Sequence, residues 1–119
     1  MPSILLVEED VALREQRYDL LTTHGFSVIT AHSGEQAMEV LKHERPDLIL
    51  ANGQLSDIPA CEFTDRIRAF DTNLPILLLG LVQETRQRPL APNTQGFLAR
   101  NISNDALVKE VRRCLKAPE

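Results

Sequence analysis

Three uninterrupted apolar runs frame this 119-residue chain: ILLV at residues 4–7, LILA at residues 48–51, opened by Pro46 and Asp47, and ILLL at residues 76–79. Runs of this length without polar alternation read as strands buried on both faces of a parallel sheet. Residues 26–30 (FSVIT) and 96–99 (GFLA) predict two shorter strands. Between the strands, apolar residues fall at helical spacing. Residues 11–24 carry Leu13, Leu20 and Leu21 on one stripe and stop at Gly25, a natural left-handed helix end. Positions 16 and 17, where that stripe would continue, hold Gln16 and Arg17, so this helix is weakly amphipathic. Ser33 followed by Gln36 predicts a capping box, with Gln36 reaching back, ahead of a helix that buries Ala37, Val40 and Leu41. A third helix over residues 60–70 buries Phe63, Ile67 and Phe70. The final helix is capped by Ser103 and buries Leu107, Val111, Cys114 and Leu115, with Lys109, Arg112, Arg113 and Lys116 in its later turns, where cations suit the helix dipole. Residues 81–95 are the irregular stretch. Pro89 and Pro92 each remove a backbone donor, which confines a fourth helix to about residues 84–88.

Strands alternating with helical segments, joined by short connections, predict an α/β fold with a parallel sheet covered on both faces. Chemistry in such sheets gathers at the carboxyl ends of the strands. The first apolar run ends in Glu8, Glu9 and Asp10; the central one ends at Asn52 and Gly53, so the group expected to face solvent there is a neutral carboxamide. A solvated acidic turn that favours the first helix is the plainer reading of the three acids. Asn52-Gly53 has chemistry of its own, because an asparagine before glycine is open to cyclisation and deamidation.

Composition narrows the field. A net charge of -4 argues against nucleic-acid binding by this domain, which would need a basic footprint. No run approaches a membrane span and the amino terminus lacks signal-peptide features, so a cytoplasmic domain is expected. Cys61 and Cys114 form no CxxC and are expected as reduced, small apolar packers. His24, His32 and His43 lie in separate segments and suggest no metal site.

ILLVEED near the start, GEQAMEVLKHERPDLILAN in the middle and LPILLL afterwards resemble the receiver domain of bacterial two-component response regulators. The resemblance covers essentially the whole chain and implies a flavodoxin-like (βα)5 three-layer sandwich of strand order 2-1-3-4-5, with helix 4 short or irregular. It also implies the site. Glu8, Glu9 and Asp10 match the acidic cluster that holds magnesium in the family, with Glu9 where aspartate is common. The phospho-acceptor position is Asn52. Gly80 stands where strand 4 of a receiver ends in Thr or Ser, Arg100 replaces the Lys that ends strand 5, Asn101 replaces the Pro after it, and Phe97 keeps the aromatic switch position.

These departures imply a degenerate receiver, a pseudo-receiver. A carboxamide is no nucleophile for phosphoryl transfer. With a carboxylate lost, Glu8 and Glu9 are a vestigial, weak magnesium site at most, and no cofactor is required. Arg100 is expected to neutralise the pocket through a salt bridge to Glu8 or Glu9. The domain, residues 1–117, is then not an enzyme but the amino-terminal regulatory part of a larger signalling protein. It would contact a protein partner or effector through the helix 4, strand 5 and helix 5 face, with homodimerisation open, and no nucleic acid or membrane is expected. Two alternatives stand beside this reading: a phosphorylatable receiver using another acid such as Asp57, and a small-ligand-binding regulatory domain, the latter on fold analogy alone.

Overall fold

The computed structural model describes residues 1–69, 71–80 and 96–115. The apolar runs form the strands β1 (Ser3–Val7), β3 (Leu48–Asn52) and β4 (Ile76–Gly80), joined by β2 (Ser27–Ala31) and β5 (Gly96–Ala99). All pair in parallel, in the order β2-β1-β3-β4-β5. Helices α1 (Val11–Thr23), α2 (Gly34–Leu41), α3 (Ala60–Arg68) and α4 (Asn104–Leu115) cover the sheet among the described residues. The short fourth helix expected over residues 84–88 and the burial of Phe70 lie outside the described residues, as does Lys116.

Successive side chains of a strand point to opposite faces, so each central strand feeds two cores. Leu5, Val7, Ile49, Ala51, Ile76 and Leu78 pack with Ala37, Met38 and Leu41 of α2 and Phe63 and Ile67 of α3. Ile4, Leu6, Leu48, Leu50, Leu77 and Leu79 pack with Leu21 of α1 and Leu107, Val108, Val111 and Cys114 of α4. That double burial is why these strands read as continuous apolar runs. On α2 the buried face is Ala37, Met38 and Leu41, with Val40 only partly covered. Cys114 is buried as expected, whereas Cys61 on α3 is exposed.

Helix ends follow local chemistry. Gly25 ends α1 with φ of 93°, a conformation costly for any residue with a Cβ. Ser33 Oγ accepts from Gln36 N at 3.0 Å. The reach of Gln36 differs from a standard capping box: its Oε1 accepts from His32 N at 2.6 Å, one residue before the cap. The remaining donors of the first turn of α2 are met from outside. Asp57 Oδ1 and Oδ2, on the loop after β3, accept from Gly34 N at 3.1 Å and Glu35 N at 2.9 Å. This loop comes so close that a Cβ at Gly34 would lie 2.8 Å from Ile58 Cδ1.

Candidate functional site

The alternation that builds the two cores also builds the site. Glu8 follows Ile4 and Leu6, and Asn52 follows Leu48 and Leu50, so both continue the stripe facing α1 and α4. Val7 pairs with Ala51, which sets Glu8 beside Asn52 across the strand ends. From α1, at the position where the apolar stripe breaks, Arg17 points onto them. It is 8% exposed, and Arg17 and Leu21 are the buried residues of α1.

Glu8, 1% exposed, is fully engaged. Its Oε1 accepts from Arg17 Nη1 at 3.0 Å. Its Oε2 accepts from the backbone of Asp10 at 3.0 Å and from Asn52 Nδ2 at 3.3 Å. Even its carbonyl oxygen accepts from Arg14 Nη1, at 2.8 Å. Burial pulls the Arg17 guanidinium down from the ordinary arginine range; Glu8 opposes this and the nearby Arg100 adds to it. A second, longer contact from Arg17 Nη2 to the carbonyl of Arg100, 3.4 Å, ties α1 to the end of β5.

The expected partner of Glu8 was Arg100, and the structure corrects this. Arg100 is exposed and its Nη1 donates to Gln54 Oε1 at 3.4 Å, while the buried partner of Glu8 is Arg17. The physical reason is geometric. Arg17 rises from a helix packed over the end of β1, whereas Arg100 sits beyond the end of the edge strand β5. Glu9 turns away from Glu8: its Oε2 accepts from both Ser56 N and Ser56 Oγ at 2.7 Å. Asp10 is the N-cap of α1, its Oδ1 accepting from Leu13 N at 3.0 Å, in keeping with the plainer reading of that acid.

Asn52 was expected to face solvent, yet it is 9% exposed. Its Oδ1 accepts from Gln54 N at 2.8 Å. A backbone N–H can only donate, which fixes the amide with its oxygen toward the loop and its NH₂ toward Glu8. Gly53 N donates to Leu79 O at 2.6 Å. Phe97 is half-buried and packs on the α2 and α3 side of the sheet, the face opposite Glu8, Asn52 and Arg17. Gly80, the last residue of β4, pairs with Ala99. Asp57 is committed to the first turn of α2; burial raises its carboxyl somewhat, but hydrogen bonds from Glu35, Gly34, Asp57 and Ile58 outweigh this and leave it below the usual aspartate value. Among the described residues no group of three or more His, Cys, Asp or Glu side chains is placed to hold a metal ion.

A family model described as the response regulator receiver domain matches residues 4–112. The chain belongs to that family. Among curated proteins, this receiver domain is similar to the transcriptional regulatory protein AfsQ1 of Streptomyces coelicolor, 46% identical over 66% of this chain and 35% of that protein. It is also similar to the response regulator MprA of Mycobacterium avium, 27% identical over 95% of this chain and 50% of that protein. The chain thus spans half or less of the length of these two relatives. Of solved structures, the receiver domain of a sensor histidine kinase from Pseudomonas aeruginosa, with magnesium coordinated in its active-site cleft, matches with a TM-score of 0.89 at 25% identity, over 98% of each chain. The response regulator TrrA from Thermotoga maritima, in complex with Mg(2+)-BeF, matches with a TM-score of 0.88 at 23% identity, over 96% of this chain and 99% of that one. These likenesses bear out the receiver fold and its strand order.

One site residue was passed over in the sequence: Arg17. The signal was there as a charged residue at the buried phase of an otherwise apolar helical stripe, where a cation is costly without a partner.

Proposed function

We propose that this receiver domain is an atypical one, which works in a two-component response regulator by protein contact and not by accepting a phosphoryl group at the end of β3. The observation that carries the reading is Asn52. It stands at the position where the family resemblance places the phospho-acceptor, and its carboxamide offers no anionic oxygen; its one oxygen is spent on Gln54 N and its NH₂ on Glu8. Asp57 is no substitute acceptor, since both of its oxygens cap α2.

A domain of this kind is regulatory. Residues 1–117 form the receiver portion of a longer cytoplasmic signalling protein, a reading supported by the greater length of the curated relatives. Its partner is a histidine kinase, an effector domain or a second copy, met through the side of the sheet that carries β5 and α4. The stretch around Arg86, Arg88, Pro89 and Pro92, which the sequence assigns to the same side, lies outside the described residues.

Intact-mass measurement after incubation with acetyl phosphate and magnesium tests the reading. The native chain is expected to stay at its unmodified mass under conditions that label an ordinary receiver. A phosphoryl adduct that maps to any carboxylate of the native chain would overturn it.

A further inference from the structure

Magnesium belongs to the pocket of the related receivers, and the residues here do not fit it. A divalent cation of this size needs a near-octahedral shell of oxygens with several waters. Glu8 already accepts from Arg17, the Asp10 backbone and Asn52, Glu9 is held by Ser56, and Asn52 turns a donor to Glu8 in place of an oxygen. What meets Glu8 is a guanidinium, fixed at 3.0 Å and itself buried.

We infer that Arg17 is the resident cation of this pocket, standing in for the divalent ion, so that restoring a carboxylate at position 52 does not by itself restore magnesium binding. The inference deepens the reading of the same site as inactive, and adds Arg17 to the departures that the sequence resemblance had already assigned to the pocket. The physical argument is one of charge and space. In the Asn52→Asp variant the new carboxylate lies next to Glu8, and the planar fork of Arg17, with its several donors, can serve both. A dication entering there would have to displace a hydrogen-bonded guanidinium or sit against it, and like charges in a buried site repel strongly. Arg17 also reaches the carbonyl of Arg100, so its displacement would cost the α1 to β5 tie as well.

The test is magnesium titration, by calorimetry and by amide and arginine side-chain NMR, of the native chain and the Asn52→Asp, Arg17→Leu/Asn52→Asp and Arg17→Gln/Asn52→Asp variants. The Asn52→Asp variant is expected to bind weakly, with its Arg17 Nε resonance unmoved. At least one double variant is expected to bind tighter by about tenfold or more, the size of effect that groups around a metal site typically have. The Arg17→Gln form keeps a polar partner for Glu8 in case the leucine variant does not fold. The NMR readout needs no change at Arg17, so it stands even if neither double variant folds. Magnesium binding by Asn52→Asp as tight as in a folded double variant, or with movement of the Arg17 resonance, would overturn the inference. So would folded double variants that bind no better than Asn52→Asp. Acetyl phosphate labelling of the native chain would sink the functional reading and leave this one standing, so the two failures are distinguishable.

Discussion

Removing the guanidinium of Arg17 would leave the Glu8 carboxylate with a backbone N–H and an amide for partners in a site shut off from water. Breaking one half of a buried ion pair typically costs about 3–5 kcal/mol, so Arg17→Leu should lower stability by about 3 kcal/mol or more in chemical denaturation. The paired Glu8→Leu/Arg17→Leu change should recover most of that loss, because two apolar side chains of fitting volume carry no desolvation penalty. A double-mutant cycle that shows the two changes simply adding would contradict the pairing. Asn52 gives a second expectation. Deamidation needs Gly53 N to attack the Asn52 side-chain carbonyl carbon, with loss of ammonia to a succinimide that water then opens. In the fold that nitrogen donates to Leu79 O, and the Asn52 oxygen and NH₂ are both held. Peptide mapping should find Asn52 intact after long incubation of the native protein and converted to Asp and isoAsp in urea. Equal rates in the two states would refute the protection.

The start of α2 shows how a helix is held by a distant loop. Its first three backbone donors go to Asp57 Oδ1, Asp57 Oδ2 and Ser33 Oγ. Asp57 is therefore a structural staple between the loop after β3 and α2. Because its folded pKa is depressed, its contribution is present above the unfolded value of about 3.9 and is lost as the pH falls through the lower folded value. The native chain should lose stability over that acid window, and Asp57→Ala should lack that component of the loss, as followed by thermal melts against pH. Equal acid sensitivity in the two proteins would remove Asp57 from this role. Ser33 as the cap, Gly25 as the stop and Ser103 at the last helix were all legible, since each rests on residues a few positions apart. Asp57 meeting Gly34 and Glu35 was not, because it joins segments more than twenty residues apart in the chain.

The sheet was legible because its central strands are apolar on both faces, and the resemblance supplied the strand order. Which residues meet at the strand ends was harder. Glu8 and Asn52 could be named from the ends of apolar runs, but their buried partner could not. Arg17 registers in a periodicity reading as a gap in a stripe, and Arg100 is the cation the sequence offers because it directly follows the last apolar strand. Packing decided between them: α1 lies over the end of β1, and the register places Glu8 against Asn52 beneath it. At the ends of β1 and β3, Glu8, Asn52 and Arg17 meet one another in hydrogen bonds. The measurement to make is the amide spectrum of the native chain before and after addition of magnesium with beryllofluoride, which mimics the phosphoryl group. No change is expected at Glu8, Arg17, Asn52 and Arg100. A saturable shift at these four positions would show that the pocket still takes the ion and the phosphoryl mimic, and would contradict that expectation.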